Sequence, residues 1–144
     1  MPPITRNIKI AAIIFLAVSA VGFLDATYLT VEHYRVGIPP CAILGCEIVL
    51  TSAQSRIAGV PVALFGSLYY LTLLIFSFAY LDSEKKSIIR LASYCTVVGF
   101  VASIYFVYLQ LFVIKEICQY CMISAGTSTI LFVLGIYIFT KTRQ

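Results

Sequence analysis

At 144 residues the chain suffices for one domain and not two, and at 61% hydrophobic and 11% charged it is too apolar for water to be its only solvent. A mean hydropathy of +1.01 excludes an ordinary soluble domain, and five cysteines in this length exclude a small disulfide-stapled scaffold. The net charge of +4 is modest, and its placement along the chain carries more information than its size.

Four apolar stretches, each near the roughly 20 residues a bilayer requires, predict an all-α membrane protein. The expected architecture is a four-transmembrane-helix bundle forming a single domain over residues 1–144. The first helix is expected over residues 8–34. Its apolar run is too long for a signal-peptide core and lacks a clear small-residue cleavage site, so it reads as a retained span. Residues 35–59 form a long outer loop in which Gly37, Pro39, Pro40 and Gly45 break regular helix. Loops of this length are usually functional or disordered. Within it, the amphipathic residues 46–57 predict a short helix lying along the membrane interface. The second helix is expected over residues 60–81 and the third over 88–114, joined by a polar turn at 82–87. The fourth is expected over 117–139, separated from the third only by Lys115-Glu116, which demands a tight antiparallel hairpin.

With four spans, both termini and the 82–87 turn share one side. That side carries Arg6, Lys9, Lys85, Lys86, Arg90, Lys141 and Arg143, against Arg35, Arg56 and Lys115 on the other. The bias of positive residues toward the cytoplasm predicts cytoplasmic termini in a cell membrane, with the long loop and the tight hairpin facing outward.

Four cysteines then share the outer face, where disulfides persist: Cys41 and Cys46 in the loop, Cys118 and Cys121 where the fourth helix begins. Cys95, about two turns into the third helix, reads as a small buried hydrophobe. In Cys118-Gln119-Tyr120-Cys121 the helix N-terminus offers unpaired N–H groups and a positive dipole end, which favour a thiolate. Such a thiolate is both a good leaving group and a good nucleophile toward another disulfide. A second pair at the same face permits a relay. Structural zinc is disfavoured because the pairs stand about 72 residues apart. An inert staple is disfavoured because a C-x-x-C disulfide closes too short a loop to stabilise much. The alternative reading is a non-enzymatic membrane subunit or channel with stapled outer loops.

Several pieces combine into a resemblance. They are Tyr28-Leu29-Thr30 ending the first helix, the Cys41/Cys46 pair, and Val49-Leu50-Thr51-Ser52, with Ser52 six residues beyond the second loop cysteine. Gly59-Val60-Pro61 and Leu64-Phe65-Gly66 follow, and then Ile117-Cys118-Gln119-Tyr120-Cys121. Over residues 23–129 this pattern resembles the vitamin K epoxide reductase family in its bacterial and archaeal form. The resemblance implies a four-helix bundle around a quinone, with the outer loop as a lid. It implies that Cys41 accepts electrons from a reduced thioredoxin-like partner and that Cys46 attacks Cys118. Cys121, freed as a thiolate, would then donate to the quinone, supporting disulfide formation in secreted proteins. Ser52 matches the family's site hydroxyl; its other reading is a cap of the interfacial helix.

The departures from the family pattern are also informative. Many bacterial members carry a fused thioredoxin-like domain, whereas this sequence ends at Gln144, so a separate redox partner is expected. Val62 stands where vertebrate members hold a quinone-contacting asparagine, and Ala125 where they hold a quinone-contacting tyrosine. Plain quinone reduction is thereby favoured over epoxide reduction, with the quinone type left open. An unrelated bacterial disulfide-forming class, also of four helices, places its C-x-x-C in the first outer loop; here it opens the fourth helix.

Phe65, Tyr69, Tyr105, Tyr108 and Phe112 are candidates for the walls of the quinone pocket, although an aromatic belt at the interface explains them equally well. Asp25, about 17 residues into the first helix, is an intramembrane acid and a candidate for proton delivery. Its bland alternative is a carboxylate reaching interfacial water or a hydroxyl. Glu32 and His33 read as interface residues. No metal site and no nucleic-acid partner are expected; membrane lipid surrounds what the resemblance suggests is a monomer.

Overall fold

A computed structural model describes residues 3–35, 40 and 45–144, with only the backbone described for Pro3, Ile4 and Cys46. In chain order the helices are α1 (Pro3–Tyr34), α2 (Cys46–Thr51), α3 (Val62–Ser83), α4 (Lys86–Tyr108) and α5 (Gln119–Arg143). The four long ones are long and apolar enough to cross a membrane.

α1 starts five residues earlier than hydropathy places it. Proline suits a first helical turn, and the polar residues after it continue the helix although they add no apolar signal. α2 is shorter than the helix expected over residues 46–57. It ends at Ser52, whose extended backbone (φ −67°, ψ 156°) breaks the helix, and whose N–H and hydroxyl both donate to the Val49 carbonyl. A 3-10 turn (Ala53–Ser55) follows. A small antiparallel hairpin then pairs β1 (Arg56–Ile57) with β2 (Val60–Pro61). Its two turn residues, Ala58 and Gly59, have φ of 54° and 83°, the left-handed pair that a two-residue hairpin requires.

Between α3 and α4 the chain reverses at Glu84 (φ 57°), whose N–H donates to the Tyr80 carbonyl at 2.7 Å. Lys9 forms an ion pair with Glu84, tying the start of α1 to this turn. α4 runs on into a wider π-helical turn (Leu109–Ile114). Lys115 then turns left-handed (φ 61°), and the Glu116 N–H donates to the Gln110 carbonyl at 3.0 Å. The hairpin expected at Lys115-Glu116 therefore forms, with its reversal held by one carbonyl.

The principal helix contacts are α1 with α3 and α5, α4 with α5, and α3 with α4, a closed ring of four. Ile8, Phe15, Leu73, Ile89, Leu131 and Ile138 are fully buried inside it. Small residues bring the helices close: the Tyr70 ring of α3 lies against Gly22 of α1, and the Tyr69 hydroxyl lies over Gly99 of α4. Buried hydroxyls return to their own helices, Ser19 to the Phe15 carbonyl and Ser77 to the Leu73 carbonyl, both at 2.8 Å. Cys95 packs at the edge of this core. Outward, Leu24, Phe78 and Val98 stand about two-thirds exposed. That mantle of apolar side chains suits lipid and not water, as befits a multi-pass membrane protein.

Candidate functional site

A cavity of about 360 Å3 occupies the end of the bundle that holds the hairpins 56–61 and 115–118, opposite the chain termini. It is walled largely by apolar side chains from α1, α2, the first turn of α3, the end of α4 with its π-turn, and the start of α5. α1 contributes Asp25, Leu29, Glu32 and His33, a spacing of four, seven and eight that puts them on one helical face. Ser103, Phe106 and Gln110 come from α4 and the π-turn; Cys121, Ser124 and Ala125 come from α5. Beside Ser124, the Tyr70 hydroxyl donates to the Ser124 carbonyl at 2.8 Å and lies 2.8 Å from Thr127 Oγ1.

The two cysteines of the C-x-x-C are placed differently. Cys121 lines the cavity. Cys118 is the N-cap of α5 and fully buried. It packs in a small cluster with Val49 and Leu50 of α2, Ile114, Tyr120 and Cys121. Its backbone N–H donates to Gln110 Oε1 at 3.0 Å. The Cys121 thiol hydrogen-bonds the Cys118 sulfur, as do the Cys121 and Tyr120 backbone N–H groups, and together they outweigh burial and hold its pKa below the ordinary thiol value.

Cys41 lies outside the described residues, and so does the side chain of Cys46, whose backbone opens α2. The chain on either side of residues 41–44 is nonetheless fastened to the C-x-x-C end. The Tyr120 hydroxyl donates to the Pro40 carbonyl at 2.6 Å, and the Tyr120 ring sits 5.6 Å from that of Tyr28. Glu116 lies against Gly45, where a Cβ would collide with its carboxylate and where φ of 105° favours glycine.

Ser52 lines the cavity and also caps α2, its hydroxyl proton directed at the Val49 carbonyl at 2.7 Å. Val62 and Ala125 both lie on the wall, as does Asp25, whose buried Oδ2 has no hydrogen-bond partner among the described residues. None of the five aromatic side chains expected to wall a pocket lines this cavity. Phe65, Tyr105, Tyr108 and Phe112 face outward, 46–65% exposed, where lipid solvates them as well as a cavity would. Tyr69 turns toward α4 and Gly99. Conversely, Glu32 and His33, expected as plain interface residues, border the cavity. Sequence reasoning also passed over Gln110, Ser103 and Ser124. The available signal was a polar side chain inside an apolar span.

With this geometry in hand, the sequence matches the vitamin K epoxide reductase family over residues 13–136. The chain belongs to that family. No curated protein matches it individually. Family membership makes it an oxidoreductase of the quinone-coupled disulfide class, and the cavity suits such an acceptor. Its volume, about 360 Å3, falls among small-molecule sites of roughly 300–1,000 Å3. Apolar walls with a few convergent polar groups, here Asp25 and Gln110, are what a flat, weakly polar ring requires.

Proposed function

We propose that the protein oxidises thioredoxin-like partners and passes their electrons through two cysteine pairs to a membrane quinone held in the cavity. The observation that carries this reading is the division of labour between Cys118, fully buried beneath α2, and Cys121, which faces the cavity. A bulky protein thiol has no approach to Cys118. Cys46, whose backbone opens the same α2 that covers Cys118, is the cysteine this reading assigns to reach it.

In the relay, a reduced partner exchanges its dithiol with the Cys41–Cys46 disulfide through a mixed disulfide at Cys41. Cys46 then attacks Cys118, breaking the Cys118–Cys121 disulfide and releasing Cys121 as a thiolate at the cavity wall. Closure of Cys41 onto Cys46 leaves the loop pair oxidised and Cys118 and Cys121 reduced. A bound quinone supplies a two-electron, two-proton acceptor, and the Cys118–Cys121 disulfide re-forms as two thiols are oxidised. Asp25, with an unpartnered oxygen on the wall, holds a proton for delivery to the reduced ring. Ser52 shapes the wall and ends α2. Cytoplasmic termini would place the loop and cavity at the outer face of the cell membrane, where secreted proteins acquire disulfides. One chain supplies every group this scheme uses, so a monomer suffices.

The test is quinone reduction by purified protein in detergent with a reduced thioredoxin-like protein. Wild type should turn over and Cys121→Ala should be inactive. Cys41→Ala should be inactive with the protein donor yet rescued by a small dithiol. Absence of quinone reduction by wild type with every thiol donor would leave a membrane subunit with stapled loops as the better account.

A further inference from the structure

The amide of Gln110 is 3% exposed inside an apolar span, a costly placement unless its polar atoms are used. Its Oε1 accepts the Cys118 backbone N–H at 3.0 Å. A backbone N–H can only donate, so the carbonyl end of the side chain must face Cys118 and the NH2 end must turn away. That NH2 group carries two protons. Its protein partner among the described residues is the Phe106 carbonyl, at a long 3.5 Å, which leaves one N–H unmatched beside a cavity that Gln110 itself lines.

The wall's other side-chain donors, His33, Gln54, Ser55, Arg56, Ser103 and Ser124, are all more exposed than Gln110, which alone among them is buried. Val62 and Ala125 have no polar side-chain atoms, and the Ser52 and Thr51 hydroxyls donate to the Val49 and Glu47 carbonyls. Gln110 is also held in place. It sits in the π-helical turn, a local widening frequent at functional sites, and its backbone carbonyl takes the Glu116 N–H at the hairpin.

We propose that Gln110 works at both ends of its amide: Oε1 positions Cys118, and Nε2 donates a hydrogen bond to a carbonyl oxygen of the quinone. The inference rests on the function proposed above and names the residue by which that site recognises its acceptor. Oxidation of the two thiols moves two electrons and two protons while one S–S bond forms; Gln110 gives up no proton in the process. Its donation strengthens as charge accumulates on the quinone oxygen, the arrangement by which fixed donors favour a reaction.

Two substitutions separate the two ends. Gln110→Leu removes both. Gln110→Glu keeps an oxygen for the Cys118 N–H and replaces the cavity-facing NH2 with a group that donates only when protonated. The first readout is hydrogen–deuterium exchange at the Cys118 amide in the detergent-solubilised protein: protection is expected in wild type and Gln110→Glu and lost in Gln110→Leu. The second is equilibrium dialysis of a short-tailed benzoquinone against protein with its cysteines oxidised, so that no turnover occurs. Gln110→Leu should bind about tenfold more weakly at every pH, the scale of one buried hydrogen bond. Gln110→Glu should match that loss at high pH and recover toward wild type as pH falls. Asp25, Glu32 and His33 of α1, Arg56 of the hairpin and nearby Glu116 also titrate or carry charge around the cavity. Wild type taken over the same pH range subtracts them.

Wild-type-like quinone binding by Gln110→Leu would overturn the donor role, as would identical binding by the two variants at all pH values. Loss of amide protection in Gln110→Glu would overturn the positioning of Cys118. If wild type binds no quinone, the function proposed above falls and takes the Nε2 role with it, while the exchange measurement still decides the Oε1 role.

Discussion

Cys118 combines full burial with a pKa held below the ordinary thiol value, chiefly by the Cys121 thiol that hydrogen-bonds its sulfur. The depression favours the charged form of the reduced protein, so the thiolate persists to lower pH than an ordinary thiol's would and is lost as pH falls further. Cys121→Ala removes the largest cause. The ultraviolet absorbance of the Cys118 thiolate in that variant should therefore titrate at higher pH than in the reduced wild type; an unchanged midpoint would assign the depression to the helix N-terminus alone. Asp25 makes a second case at this scale. Its buried Oδ2 has no partner among the described residues, and the residue lines the cavity. Asp25→Asn keeps the shape and removes the transferable proton. Quinone reduction by pre-reduced Asp25→Asn should slow by about a hundredfold, the lower end of general-acid effects, with quinone binding preserved. Stopped-flow reoxidation reads the rate, and unchanged turnover and pH profile would remove Asp25 from the mechanism.

At the scale of elements, the α1–α3 contact depends on a glycine. The Tyr70 ring occupies the space a Cβ would take at Gly22, and the hydroxyl of the same ring reaches across to the Ser124 carbonyl of α5. Gly22→Ala should cost about 1–3 kcal/mol, as overpacking does, and it should act at a distance by disturbing Ser124 at the cavity. A lowered thermal midpoint in detergent, together with weaker quinone binding, checks both effects. The four spans were legible because length and hydropathy alone define them. What hydropathy could not resolve was which side of each span looks inward. A helix apolar around its whole circumference carries no stripe, so Phe65, Tyr105, Tyr108 and Phe112 read equally as cavity walls or as an interfacial belt, and they face outward. The polar residues were the better guide. Asp25 was found that way, and Gln110 could have been. The motifs located Cys118, Cys121 and Ser52, but not the fact that Cys118 is sealed away while Cys121 is presented to the cavity. That difference arises because α2 lays Val49 and Leu50 over Cys118, a tertiary contact without local signature. The end of α2 was misread for a related reason: Ser52 carries its own hydrogen-bonding stop signal, which a hydrophobicity pattern ignores.

Across the whole molecule, the two ends of the bundle are built for different purposes. The end with the termini is fastened by the Lys9–Glu84 ion pair and by Arg90, whose guanidinium donates to the Thr142 carbonyl at 3.0 Å. The other end holds the cavity, the C-x-x-C and the loop, joined by the Tyr120 hydroxyl on the Pro40 carbonyl and by Glu116 against Gly45. Tyr120→Phe cuts the first of these ties and leaves the ring and both cysteines in place. Turnover with a protein thiol donor should fall several-fold, and turnover with a small dithiol, which does not need the loop, should fall less; equal losses would place Tyr120 in the C-x-x-C chemistry itself. Collecting donor, relay and acceptor at one end has a consequence for energy conversion. On the function proposed above, electrons from a partner and the protons released by its thiols would arrive on the same side of the membrane as the cavity that takes them up, so no charge would traverse the low-dielectric interior. Such a reaction would be electrically silent: it would neither build nor consume a membrane potential, and its direction would be set by the difference in reduction potential between the thiols and the quinone pool, whatever voltage the cell maintains.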